Sequence, residues 1–326
     1  MPGSATPPLA DVHAHFLTDD YVAAARSAGH EHPDGMPRWP RYSADDHLRQ
    51  LDHRGVGRAL LSISSPGVYF GDDAAARDLA RHVNQAGAAL VAAHSDRFGL
   101  FASLPVPDVD GAQAELRYAR DELGADGVTL ESNAHGVYLG DPRYAPLLAD
   151  LDYHGTVVFL HPTSPPGADL VALGRPRPML EFLFETARTV SDLMLSGSFA
   201  RYPRIRWVVP HGGGVLPLLA DRLDLFRRGL LGDGGDPRSA GEILAGLWYD
   251  TAGTPFPRQL PVLTGFAGED QVVYGSDSCW TPDAGVDQAL GLIDGATRAD
   301  GVTWRDVLAR NAARLLSPAQ ATTVST

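Results

Sequence analysis

Thr156-Val157-Val158-Phe159-Leu160-His161 is the stretch that decides the fold. It is β-branched, almost wholly apolar, and it ends abruptly on a histidine. A strand with one wet face alternates apolar and polar residues. A strand without alternation is buried on both faces, as in a parallel sheet covered by helices. Ile205-Arg206-Trp207-Val208-Val209-Pro210-His211 and Gln271-Val272-Val273-Tyr274-Gly275-Ser276-Asp277 repeat the pattern, each closing on a side chain able to bind or react. Outward from these, apolar runs at Leu9–His13, Arg58–Ser64, Gly99–Val106, Gly127–Glu131 and Leu247–Thr251 bring the expected strands to eight. Helices are expected at Ala44–Arg54, Asp73–Ala93, Gly111–Leu123, Pro142–Tyr153, Met179–Ala200 and Leu216–Arg227, the first capped by Ser43 and stopped by Gly55. Eight strands alternating with helices predict a (β/α)8 TIM barrel. The rival, a doubly wound open sheet, would want a GxGxxG after the first strand, and none is there. The reading is one domain over residues 1–326 with a core at about 9–317, loop insertions at Gly29–Tyr42 and at 164–178, and a frayed tail after Pro318.

Composition narrows the chemistry. The 326 residues carry 40 acidic and 27 basic side chains, a net charge of −13. That balance argues against nucleic acid or an anionic membrane as partner. All 27 basic residues are arginine. Without lysine there is no pyridoxal phosphate enzyme, no Schiff-base aldolase, no P-loop and no metal pair bridged by a carboxylated lysine. The one cysteine, Cys279, allows neither an intrachain disulfide nor a cysteine-built zinc site, and is read as a small packing residue. It fits a cytoplasmic protein. The start, MPGSATPPL, lacks a charged n-region, and no run reaches the ~18 apolar residues of a membrane span.

The strand ends carry the chemistry. Residues i and i+2 of a strand face the same way, so His13 and His15 point together. His161, His211 and Asp277 end three other apolar runs, where a polar side chain has a reason to be only at the mouth of the barrel. Three imidazoles, one carboxylate and an open position suit a single divalent ion, zinc ahead of manganese. Asp250 ends another run, where it either orients a ligand histidine or caps the next segment. Glu131 is read as bonding a loop amide. Arg38 and Arg41 lie in the first insertion, and Arg38 is the candidate there for holding a substrate anion. Trp39, Phe70, Tyr138 and Trp280 are candidate aromatic walls. The remaining histidines have no strand-end placement and are read as surface or helix positions, His135 excepted. Gly212–Gly214 is read as a tight turn beside His211.

Asp11–Phe16 (DVHAHF), Phe159–Pro162 (FLHP), Pro210–Gly214 (PHGGG) and Tyr274–Ser278 (YGSDS), in that order, resemble the metal-dependent decarboxylase branch of the amidohydrolase superfamily. The resemblance runs from about Asp11 to Asn311. Members of that branch include aminocarboxymuconate semialdehyde, γ-resorcylate and 6-methylsalicylate decarboxylases. The resemblance implies His13, His15, His161 and Asp277 as metal ligands and His211 as the acid/base histidine. It also implies Arg222, on the helix after Gly214, as the group that grips the substrate carboxylate in a neighbouring subunit, hence a homodimer. Asp11 stands where resorcylate-type members have glutamate. His161-Pro162-Thr163 differs from the HPW of the semialdehyde enzymes. Trp39-Pro40-Arg41-Tyr42-Ser43 and Ser64–Val68 (SSPGV) point instead towards the 6-methylsalicylate type. The implied activity is non-oxidative decarboxylation of a hydroxylated aromatic acid, a carboxy-lyase reaction. The alternatives are an aminocarboxymuconate semialdehyde-type decarboxylase, metal-dependent hydrolysis of a lactone or amide, and a silent metal-binding scaffold.

Overall fold

A computed structural model describes residues 7–232, 235–298 and 300–317, so the tail after Pro318 lies outside the described residues. Eight strands form one parallel sheet in chain order: β1 (Leu9–His15), β2 (Val56–Ser62), β3 (Phe98–Ser103), β4 (Gly127–Glu131), β5 (Val157–His161), β6 (Arg206–Val209), β7 (Trp248–Asp250) and β8 (Val272–Val273). Parallel bridges from Asp11 to Tyr274 and from Ala14 to Ser278 join the first strand to the segment after the last, which closes the barrel. Helices follow the strands, as the sequence predicts. Ser43 accepts a hydrogen bond from the Asp46 amide and Gly55 closes the same helix in a left-handed conformation. Asp72, Asp108, Ser239 and Thr303 cap four other helices in the same way.

Two apolar clusters share the interior. The smaller one takes Val12, Leu60, Phe101, Phe159, Val208, Trp248 and Val273 from seven of the eight strands, so it fills the barrel itself. Ala312 and Leu315, from the helix Trp304–Leu316, join this cluster. The larger cluster lies between the strands and the surrounding helices. The alternation expected of a two-sided strand shows in β2, where Leu60 belongs to the inner cluster and Ala59 and Leu61 to the outer one.

Several boundaries differ from the sequence reading. β1 extends two residues further, to His15. β6 ends at Val209, and His211 sits in a tight turn beyond it. β8 is only two residues long, and Asp277 lies past its end. The helix expected over Met179–Ala200 is broken: Glu181–Leu195 is continuous, then Gly197 turns left-handed before Ser198–Arg201. The helix at Leu216 ends at Phe226 and passes into a wider turn, Arg227–Leu231.

Candidate metal centre

β1 is not a regular strand where it matters. Asp11 pairs with Ala59 and Ala14 with Leu61, so Val12 and His13 together face the single residue Leu60. This bulge re-aims His13 into the barrel while Val12 stays in the inner apolar cluster. The alternation breaks between Val12 and His13 and holds from His13 to His15, with Ala14 turned to the outer cluster between them, so both imidazoles converge as the i, i+2 spacing predicts. Their rings stand 4.9 Å apart, edge to face. Phe159 lies 4.7 Å from the His13 ring, and Phe101 stacks on Phe159 at 5.9 Å, an apolar floor for the site. The backbone of Gly275 passes so close that a Cβ there would stand 2.8 Å from the His13 Cβ.

The donors are fixed by outer contacts. His13 Nδ1 lies 2.7 Å from Asp250 Oδ2, and both side chains are fully buried. His15 Nδ1 lies 3.0 Å from Ser62 Oγ. Each contact holds the ring proton on Nδ1 and leaves Nε2 with a free lone pair. His13 Nε2 and His15 Nε2 are both buried without a hydrogen-bond partner. A buried polar atom left unpaired costs about 1–3 kcal/mol unless something absent from the polypeptide meets it. His13, His15 and His161 present donor atoms within 4.8 Å of one another, as do His13, His211 and Asp277. Asp277 Oδ1 is 3.5 Å from His13 Nε2 and 3.4 Å from His15 Nε2, and its Oδ2 is 3.7 Å from His211 Nε2. The donor set fits a divalent metal ion.

The charges agree. Burial drives the His161 imidazole well below its ordinary pKa, helped by the His15 and His13 rings, so it is held neutral, the form that ligates. Burial likewise lowers His15. Burial also works against a charged His13, but the Asp250 and Asp277 carboxylates outweigh it and raise that group. Burial alone would raise Asp277, yet the His13, His15 and His211 imidazoles together hold it well below the usual carboxylate range, so it stays ionised.

His211 and Asp277 both adopt the left-handed backbone region, at φ 56° and 58°, which residues other than glycine rarely occupy. The Asp250 Oδ1 atom accepts from the His211 amide at 2.8 Å, and Asp277 donates its own amide to the His13 carbonyl at 2.8 Å. Gly212, Gly213 and Gly214 all have positive φ, which is the tight turn expected of that triplet.

His161, His211 and Asp277 line a cavity of about 350 Å³, walled by Phe182, Met179, Leu183 and Trp280. Of the expected aromatic walls only Trp280 reaches it; Trp39 donates to the His30 carbonyl and Tyr138 to Glu185. Arg38 is exposed and lines, with Trp39 and Cys279, an adjoining hollow that shares Met36, Trp280 and Pro282 with the metal cavity. Arg222 is exposed on the helix Leu216–Phe226, its guanidinium over the Phe226 ring. Neither arginine lines the metal cavity of its own chain. Glu131 departs from its reading: its Oε2 bonds no loop amide and stands 3.5 Å from His161 Nδ1. Asp34, Met179 and Phe182 went unnoticed in the sequence. Asp34 sits in Pro33-Asp34-Gly35, whose signal is that of a turn, and apolar walls look like any core.

Comparison with known proteins gives four findings. The profile described as Amidohydrolase matches residues 10–317. The 6-methylsalicylic acid decarboxylase of Aspergillus aculeatus is 35% identical over 317 residues, covering 94% of each chain. Among solved structures, one described as an amidohydrolase II superposes with a TM-score of 0.86 at 32% identity, covering 94% of this chain and 99% of the other. A further structural neighbour, the 5-carboxyvanillate decarboxylase of Novosphingobium aromaticivorans, was solved with manganese and 4-hydroxy-3-methoxy-5-nitrobenzoic acid. It shares the fold at TM-score 0.84, with 21% identity and coverage of 96% of this chain and 97% of that one.

Proposed function

The chain belongs to the amidohydrolase family, and from that premise we propose that it is a metal-dependent, non-oxidative decarboxylase of a hydroxylated aromatic acid of the 6-methylsalicylate type, a carboxy-lyase. The observation that carries the reading is the pair of buried, unpartnered Nε2 atoms of His13 and His15 facing Asp277, which itself lines a cavity of about 350 Å³. The similarity to 6-methylsalicylic acid decarboxylase along nearly the whole chain supports the substrate class. His13, His15, His161 and Asp277 would hold one divalent ion. Imidazole-rich donors favour zinc, and manganese is the second choice.

Bound there, the ion would supply Lewis-acid stabilisation of charge on the carboxylate and ortho-hydroxyl oxygens of the substrate, which it would chelate. The chain's own residues do the rest. Phe182, Met179, Leu183 and Trp280 form apolar walls against the ring and exclude water. His211 holds the proton destined for the ring carbon that bears the carboxylate, and the ionised carboxylate of Asp277, 3.7 Å from its Nε2, lines the cavity beside it as the other member of the proton-transferring pair. Protonation there breaks aromaticity, and loss of CO2 restores it. Asp250 keeps His13 in the ligating tautomer and tethers the turn that carries His211.

Among the described residues, the walls of this cavity carry no guanidinium. An anionic substrate wants one, and Arg222 of a second copy would supply it. The helix that bears Arg222 also exposes Leu218 at 74% and Leu225 at 65%, an apolar face suited to a homodimer contact. Residues 1–326 form one domain in this reading, with the barrel core at about 9–317. The single cysteine accords with a cytoplasmic setting, and no helix among the described residues is long and apolar enough to cross a membrane.

The test is turnover of 2-hydroxybenzoates by metal-loaded protein, reading CO2 and phenol. In D2O the phenol should carry deuterium at the carbon that lost CO2. Moving the hydroxyl to the meta position should stop the reaction. Equal turnover of meta and ortho acids defeats the chelation argument, and hydrolysis of lactones or amides without CO2 replaces the decarboxylase by a hydrolase.

A further inference from the structure

Decarboxylation consumes a proton. The bond between ring carbon and carboxylate breaks, its electron pair stays on the ring carbon and takes up H⁺, and CO2 leaves. Each turnover therefore needs one proton from solvent, delivered to the cavity while it holds the substrate. This inference rests on the decarboxylase reading and asks how that proton returns.

A second chamber of about 530 Å³ adjoins the metal cavity. It is lined by His30, His32, His135 and Glu131 among others. Asp34 alone, among the described residues, lines both chambers. Two insertions meet at this wall: Asp34 accepts from Ser164 Oγ at 2.5 Å, and Gly35 packs against Arg177. Ser65, another hydrogen-bond partner of Asp34, lines the metal cavity and directs its own amide at the His161 ring. The charged and titratable groups facing Asp34 are His30 on its own loop, Arg177 from the second insertion, Glu131 at the end of β4, and Tyr21.

The geometry points to Asp34 as the relay that carries a proton from the His30 side of the second chamber into the metal cavity, towards His211. The metal cavity is lined by four titratable residues, Asp34, His161, His211 and Asp277. Two of these are assigned to the metal, and His211 meets the ring, so Asp34 is the one open to the other chamber. Burial supports the role. It raises the Asp34 carboxyl and lowers the His30 imidazole, bringing the proton affinities of donor and acceptor towards each other. Asp34 acts through His211 and does not itself meet the ring.

Asp34→Asn keeps an oxygen for the Ser164 hydroxyl and cannot carry a proton. We expect kcat on a 2-hydroxybenzoate to fall about 10²-fold, with KM and bound metal unchanged. The solvent deuterium isotope effect on kcat should grow. In Asp34→Ala, imidazole buffers should restore the rate in proportion to their concentration, with wild type in the same buffers as the control for metal binding. A wild-type kcat and isotope effect in Asp34→Asn overturn the relay. So does a loss confined to KM or metal content without buffer rescue, which makes Asp34 a wall. If wild-type protein releases no CO2 from any aromatic acid, the decarboxylase reading falls and the relay with it. An active wild type beside an indifferent Asp34→Asn removes the relay alone.

Discussion

Asp250 meets no reacting atom, yet three groups of the site hang on its carboxylate. One oxygen takes the Nδ1 proton of His13; the other accepts from the amides of His211 and Ala252 at 2.8 and 3.0 Å. Asp250→Asn can keep the amide-accepting oxygen but puts an NH2 opposite His13. The imidazole must then move its proton to Nε2, where it blocks the lone pair the metal needs. We expect metal affinity to fall 10–100-fold, roughly the effect of losing such an outer partner, with the far-ultraviolet circular dichroism unchanged. A competitive chelator titration measures it; wild-type affinity would mean that Asp250 only ties the turn. The histidines separate by the same measurement. His161→Ala should lose the metal, whereas His211→Ala should keep it and lose rate. If His211→Ala empties the site instead, the two roles are exchanged.

The helix Ala44–Arg54 shows how an element can be legible while one of its residues is not. Its caps, Ser43 and Gly55, are plain in the sequence, but His47 reads as one more surface histidine. In the fold it is 4% exposed, packed against Phe98 and Tyr42, and both ring nitrogens lack a partner. Burial, aided by the Arg54 charge, pushes its pKa down to about 4. The unfolded chain takes up a proton near its ordinary pKa of 6.5, which the native state refuses until about pH 4. Stability therefore falls as pH drops from about 6.5 to about 4, by about 3 kcal/mol at most. His47→Leu should remove that slope and be the more stable protein at pH 5, as judged by urea midpoints at pH 5 and 7.5. Parallel slopes in the two proteins would refute this. The strands show the same division. β5 was legible to its last residue because an unbroken apolar run has no other home. β8 shrank to Val272–Val273 because the chain leaves the ladder at Tyr274 to carry Asp277 across to the His13 carbonyl. The bulge in β1 left no trace in residue type, since Val12 and His13 are ordinary in any strand.

At the scale of the molecule, the walls of the proposed metal cavity carry no guanidinium among the described residues, and Arg222 stands outside it. Arg222 is exposed beside Leu218 and Leu225, on a helix whose outer face has no cover in a single chain. A symmetric pair would bury that face on both copies and bring each Arg222 to the other's site. The consequence is a complementation that no monomer can give. Arg222→Ala keeps its metal and lacks the guanidinium; its substrate affinity should weaken by about 2–3 kcal/mol if the pair is desolvated. His161→Ala lacks the metal and still offers Arg222. Either protein alone should be nearly inactive at low substrate. In a mixture allowed to exchange subunits, half the dimers are hybrids. In each hybrid, one of the two sites pairs an intact metal centre with an intact Arg222. Activity per chain should rise to about a quarter of wild type. Full activity of wild-type protein at dilutions where sedimentation shows a single chain would remove the shared site. So would a mixture no more active than the sum of its parts after exchange is demonstrated. Leu225→Glu puts a charge in the same apolar face, and should yield a metal-loaded, folded monomer with the weak substrate affinity of Arg222→Ala.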